Sequence, residues 1–206
     1  DEFINIAEEM GVMPVLGSHI THLALTEMAK LQARLNKRFH VSINVSIKQF
    51  MQEHFFEDFI ASVKNSGIPY KYITIEITES ILIEDIDFIL SILDQFRRKE
   101  IAVSLDDFGT GYSSLSLLRE LPIEELKIDK TFINDILVDS KDASLVKNII
   151  NIANEFGMYT LAEGVETKEQ FNKLQQFDCD LYQGYYFSKP LKFEDLEEYM
   201  KQVQII

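Results

Sequence analysis

Little in this chain can be cross-linked, sharply bent or placed in a lipid bilayer. Cys179 is the only cysteine, so no internal disulfide can form and the sequence suits a reducing, cytoplasmic compartment; it reads as a small packing residue without chemistry. Glycine and proline are scarce, at 8 and 4. No Pro-, Gly- or Ser-rich tract or charge block marks a linker, and residues 1–206 read as one domain. No apolar run approaches the roughly 20 residues of a membrane helix. The opening DEFINIAEEM lacks the basic and apolar regions of a signal peptide, so no membrane contact is expected of this domain. Positive charge is also short, with 20 Lys and Arg against 34 Asp and Glu, a net charge of −14. That balance argues against a binder of DNA or RNA polymers, which uses basic surface to displace counterions. An anionic ligand would need local help, which bound divalent cations supply. Most of the acids simply cover solvated helix faces, as in EDLEEYMKQ.

The remaining acids are placed differently. Apolar, β-branched runs (HVSIN, YITIE, IAVSLDD, ELKID, MYTLAE) each end on a polar or acidic residue: Asn44, Glu76, Asp106-Asp107, Asp129 and Glu163. Continuous apolar runs are the mark of buried parallel strands. Between them lie the helical segments SHITHLALTEMAKLQARLN, EHFFEDFIASVKNSG, DIDFILSILDQFRRKE, SSLSLLREL, ASLVKNIINIANEFG, TKEQFNKLQQF and KFEDLEEYMKQ, several opened by Asp, Ser or Thr and two stopped near Gly67 and Gly157. Alternating strand and helix predicts an α/β fold. In a TIM-like (β/α)8 barrel the carboxyl ends of the strands converge on the face where chemistry is done, so these acids are expected to meet.

All the candidate ligands are oxygen donors, which suit Mg2+ or Mn2+. His19, His22, His40 and His54 lie away from the acidic strand ends, which argues against zinc. The pair Asp106-Asp107 offers a shared carboxylate for two ions that clamp the attacking and leaving oxygens of an in-line displacement. Lys127 and Asp129, two residues apart, point to the same side of a strand. Each feature has a plainer alternative. Asn44 fits a turn or cap, Asp106-Asp107 before Gly109 fits the opening of a turn, and Lys127 with Asp129 fits a structural ion pair. The GTGYSS loop fits an ordinary tight connection as well as a phosphate cradle.

Taken together, INVSIKQF, IEITES, LDDFGTGYSSLSLLRELPIEELKIDKTFI, LAEGVET and QGYYFSKP resemble the EAL-domain family, in order and over essentially the whole chain. The resemblance implies a cyclic-di-GMP phosphodiesterase that opens one phosphodiester bond with two Mg2+ or Mn2+ ions to give linear pGpG. By its motifs Asn44 and Glu76 look like ligands of the first ion, Asp106 bridges, and Asp107 and Glu163 serve the second. Lys127 and Asp129 are placed by the nucleophilic water, with Glu163 a base as well as a ligand. Gln183, and Asn44 again, look like substrate contacts. Glu79, Thr110, Gly111 and Glu166 are expected to support the mobile loop and its surroundings. Tyr185, Tyr186 and Phe187 are expected in the core, with at most one stacking on a base. The family also implies a homodimer, sensory or cyclase (GGDEF) domains elsewhere in a longer protein, and a part in bacterial motility and biofilm switching.

The Glu-Ala-Leu signature that names the family does not occur in these residues. Only about six strands are counted where a closed barrel has eight. The expectation is therefore that the first strand or strands, with one ligand of the first ion, lie outside this sequence, and that these 206 residues by themselves are weakly active or inactive. A receptor that binds cyclic-di-GMP without cleaving it remains the alternative. An enolase-like Mg2+ barrel also sets acids at strand ends with a Lys base, but leaves Asp106-Asp107 and GTGYSS without a purpose.

Overall fold

The structure, a computed structural model, describes residues 6, 7, 9–83, 85–109 and 115–202. They fall into two units interleaved along the chain: Asp1–Ile77, Gln95–Ala102 and Leu191–Ile206 form one, Thr78–Asp94 and Val103–Pro190 the other.

In the first unit, α1 (Met13–Leu35) carries Pro14 in its first turn and is capped by Asn36 in the left-handed region (φ 49). Its start lies ahead of the expected Ser18 because proline, with φ already fixed and no N–H to satisfy, is favoured in a first helical turn. β1 (Val41–Asn44) leads through Ser46 into α2 (Ile47–Phe50), a single turn closed by a reciprocal capping box between Ser46 and Gln49. Gly17 of α1 lies directly over this cap: a Cβ there would fall 2.0 Å from Gln49 Nε2. α3 (Phe55–Ser66) stops at left-handed Gly67. β2 (Ile73–Thr78) runs parallel to β1 with Asn44 opposite Glu76. The core is aromatic, with Phe55, Phe56 and Phe59 of α3 ringing Phe96 at centroid distances of 6.1, 5.0 and 5.5 Å. The helix Phe193–Gln202 is tied to α1 by an Arg34–Glu197 ion pair of 2.7 Å and by Arg34 lying over Phe193.

The second unit carries four strands, β3 (Ala102–Phe108), β4 (Glu125–Ile128), β5 (Tyr159–Ala162) and β6 (Leu181–Tyr182), each parallel to the next. Between them lie α4 (Ile86–Arg98, before β3), α5 (Leu115–Leu118), α6 (Lys130–Asn134), α7 (Ser140–Phe156) and α8 (Lys168–Gln176). α7 begins where Asp139 accepts the N–H of Lys141 and ends at left-handed Gly157. Its buried residues Val146, Ile149, Ile150 and Ala153 recur at three and four, the spacing of one helical face, and α7 packs on β4 and β5. At the amino ends of the strands, three carboxylates are held by neutral donors. Glu124 accepts the Val103 N–H (2.7 Å), Glu125 the Ser104 hydroxyl (2.7 Å), and Asp180 both the N–H and the hydroxyl of Thr160 (2.8 and 2.9 Å). The described residues thus contain six strands in chain order with helices between, as the sequence predicts. No helix among them is long and apolar enough to cross a membrane.

Candidate active site

The carboxyl ends of β3, β4 and β5 lie side by side, and each contributes a charged residue. β3 does so through an irregularity: Leu105 pairs with Leu126, but the next pair is Phe108 with Ile128, three residues of advance against two. The extra residue is a bulge at Asp106-Asp107, with Asp107 at φ 57, a conformation most L residues avoid but Asp tolerates. Strict alternation would send consecutive side chains to opposite faces; the bulge breaks it where two acids adjoin. The Asp107 N–H donates to Asp106 Oδ1 at 2.9 Å.

Lys127, on the middle strand, is 3% exposed. Its ammonium lies 3.0 Å from Asp106 Oδ2 and 2.7 Å from Glu163 Oε1. Glu163 follows β5 directly and is fixed by its N–H, which donates to the Ile128 carbonyl (3.1 Å). A buried ammonium needs such partners, because desolvation is compensated only by close opposite charge. Asp107 has the opposite difficulty. Burial, then the charges of Asp106 and Asp129, push its carboxyl above the usual 3.8, against the pull of Lys127 and Lys130.

Asp129 caps α6, accepting the N–H of Thr131 at 2.9 Å and its hydroxyl as well, so it serves the local helix while adding negative potential at Asp107. Glu79 is buried, and its Oε2 accepts the N–H of Gly109 (3.2 Å) at the start of the GTGYSS loop; Thr110 and Gly111 lie outside the described residues. Glu166 is exposed. The loop after Glu163 is held by Gln170, whose Oε1 accepts the N–H groups of Glu166 and Thr167 (2.8 and 3.0 Å) while its Nε2 donates to the Ile133 carbonyl (3.1 Å). Sequence reasoning missed Gln170, although Thr-x-x-Gln at the head of α8 is a capping-box signal. Gly164, at φ 69, lets this loop close on Lys130, whose Cβ would stand 2.5 Å from an added Cβ.

Gln183 extends β6 by donating its N–H to the Ala162 carbonyl (2.8 Å) and accepting from Val165 (3.0 Å). Beside it the Tyr182 hydroxyl donates to the Cys179 carbonyl and is pushed up to about 12, first by burial and then by Cys179, Asp180 and Asp178. Burial likewise raises the Cys179 thiol. Tyr185, Tyr186 and Phe187 are 56, 38 and 43% exposed rather than core. Gly184, whose backbone presses on Val165, turns the chain outward there, and Tyr186 and Phe187 gather on Phe171 at the surface. In the first unit, Asn44 and Glu76 are neighbours in register, with the Val45 N–H donating to the Glu76 carbonyl (2.8 Å) and Glu76 itself buried.

Hard divalent cations suit this chemistry. The carboxylates and Asn44 are oxygen ligands, Asp106 and Glu163 keep 14 and 19% of their side-chain surface in solvent, and Asp107, raised first by burial and then by Asp106 and Asp129, is a carboxylate whose charged form a cation would favour. Among the described residues no three His, Cys, Asp or Glu side chains are already gathered as a cage for a metal ion.

Residues 1–190 match the family model of the EAL domain. The cyclic di-GMP phosphodiesterase NbdA of Pseudomonas aeruginosa is 33% identical over 201 residues, which are 98% of this chain and 26% of NbdA. The chain spans 22 to 34% of the length of the first curated relatives it matches. Among solved structures, the PaMucR phosphodiesterase in complex with c-di-GMP is 32% identical with a TM-score of 0.90, covering 95% of this chain and 79% of that one. Klebsiella pneumoniae BlrP1, solved with manganese and cyclic di-GMP, is 26% identical with a TM-score of 0.78, over 86% of this chain and 44% of BlrP1.

Proposed function

The chain belongs to the EAL-domain family, with its α/β, TIM-barrel-like fold, and from that premise we propose that residues 1–206 are a phosphodiesterase domain that hydrolyses cyclic di-GMP to linear pGpG. The observation that carries this reading is the meeting of Asp106, Lys127 and Glu163 across three adjacent strand ends. Asn44 and Glu76 are assigned to one Mg2+ or Mn2+ ion, and Asp106, Asp107 and Glu163 to the other. When bound, such ions acidify a water and neutralise the phosphate. The protein's own part is to hold and orient. Lys127 presents an ammonium to the charge that develops on phosphorus oxygens. Glu163 takes a proton from the attacking water as that water bonds to phosphorus and one ester P–O bond breaks, and the leaving oxygen takes its proton from solvent water. Asp129 supports this set, Glu79 and Glu166 steady the adjoining loops with Thr110 and Gly111, and Gln183 contacts guanine or phosphate, with Asn44 a second substrate contact. The same reading places the domain in the cytoplasm as a homodimer, attached to sensory or GGDEF domains of a longer protein that lowers cyclic di-GMP in motility and biofilm control.

The test is incubation with cyclic di-GMP and Mn2+ followed by chromatographic separation, with Glu163→Gln as control. Metal-dependent pGpG that disappears in the variant supports the proposal. Tight binding without product favours the receptor alternative, and neither binding nor turnover sinks both.

A further inference from the structure

We propose that Lys127 is a resident counter-cation: it holds Asp106 and Glu163 together in the metal-free protein and must give them up when a divalent ion binds, so that ion uptake and release of Lys127 are a single exchange. This rests on the ion chemistry proposed above and concerns what the site is before any ion arrives. Lys127 stands on the central strand of three, and its ammonium ties the carboxylate after one neighbour to the carboxylate within the other, at 2.7 and 3.0 Å. Both oxygens of Asp106 are engaged, one by Lys127 and the other by the Asp107 N–H at 2.9 Å. The two carboxylates that a cation would seek are thus already bridged by an ammonium, and no group of three ligating side chains stands ready among the described residues.

The physics fixes the signs. Lys127, Asp106 and Glu163 meet in a cluster that is 4, 14 and 19% exposed, an arrangement that is tolerable without metal because the buried lysine is held by two carboxylates. A divalent ion approaching the same oxygens meets the ammonium as a like charge at close range, where the low local dielectric makes repulsion strong. Ion affinity is therefore lowered by Lys127, while metal-free stability is raised by it. Once displaced, the ammonium becomes available to the substrate phosphate, which gives one residue two successive anionic partners. A lysine with a merely structural role behaves otherwise, since its loss would lower stability and ion affinity together. A lysine that meets only substrate would leave ion affinity unchanged.

The experiment uses Mn2+ alone, without substrate. Calorimetric titration and thermal melting with and without Mn2+ are compared for the wild type, Lys127→Met and Lys127→Arg. Lys127→Met is expected to melt lower without metal, to bind Mn2+ about tenfold more tightly, and to gain a larger Mn2+-induced rise in Tm than the wild type. Lys127→Arg keeps the charge and grips carboxylates in a fork, so it is expected to bind Mn2+ no more tightly than the wild type. Equal or weaker Mn2+ binding by Lys127→Met overturns the proposal. If that variant folds only with Mn2+, the exchange is supported. If it does not fold under either condition, Lys127→Arg decides, because tighter binding than wild type overturns the idea and equal or weaker binding supports it. Absence of Mn2+ binding by the wild type overturns the two-ion reading itself, and with it this inference.

Discussion

The four-stranded sheet of the second unit carries acids at both of its ends, and the two ends treat them differently. At the amino end Glu124, Glu125 and Asp180 accept hydrogen bonds from the neutral Val103, Ser104 and Thr160. There the carboxylates join one strand to the next. At the carboxyl end Asp106 and Glu163 face an ammonium, and Asp107 is pressed by its own neighbours into a harder ionisation. The same residue type fastens one strand to the next at one end, through donors 20 and 21 residues away, and gathers around a buried ammonium at the other. This is the division seen in barrels built from parallel strands, with stability at one face and chemistry at the other.

The comparison is broken most forcefully at the carboxyl end. Glu163→Gln keeps the shape but removes the carboxylate proposed as the base, and kcat for cyclic di-GMP is expected to fall about 10²- to 10⁴-fold, with little change in the unfolding midpoint; steady-state kinetics beside a denaturation curve checks both. At the amino end the expectation reverses. Asp180→Ala deprives the fully buried Thr160 of the acceptor for two donors and should cost about 1–3 kcal/mol in urea unfolding, while kcat per folded molecule stays the same. An equal loss of kcat would show that the ends are not separable. The smallest effect is expected at Tyr182. Its hydroxyl ionises near 12 in the folded protein and at 10 in a free side chain, so its contribution is fully present below pH 10 and is lost as pH climbs towards 12. Tyr182→Phe should remove a tyrosinate that appears near pH 12 in an ultraviolet titration and cost about 1 kcal/mol at neutral pH.

Much of this was legible from residues alone. The runs ending at Asn44, Asp106-Asp107, Asp129 and Glu163 are strands that finish within about two residues of those positions, because an apolar β-branched run is a strong local signal. The run ending at Glu76 likewise finishes two residues on, at Thr78. What escaped was set by close approach between distant segments. Nothing within ELKIDKTFI says that Lys127 reaches the residues after two other strands, or that Asp129 spends an oxygen on Thr131. The work of Gln170 depends on Ile133, 37 residues away. The outward turn of Tyr185, Tyr186 and Phe187 follows from Gly184 lying against Val165, a contact that hydrophobicity does not predict.

The bulge in β3 also bears on the gene. A strand without the extra residue would return to strict alternation: with either codon of the Asp106-Asp107 pair deleted, two residues would lead from Leu105 to Phe108 against the two from Leu126 to Ile128, so buried Phe108 could keep its partner while a carboxylate and the left-handed turn at Asp107 are lost. A substitution changes one letter and keeps the bulge, whereas a single-codon deletion removes the bulge and leaves the end of the strand in register. Lineages in which the proposed activity has lapsed are therefore expected to show a one-residue gap within LDDFG as readily as altered letters, with Phe108 kept in either case.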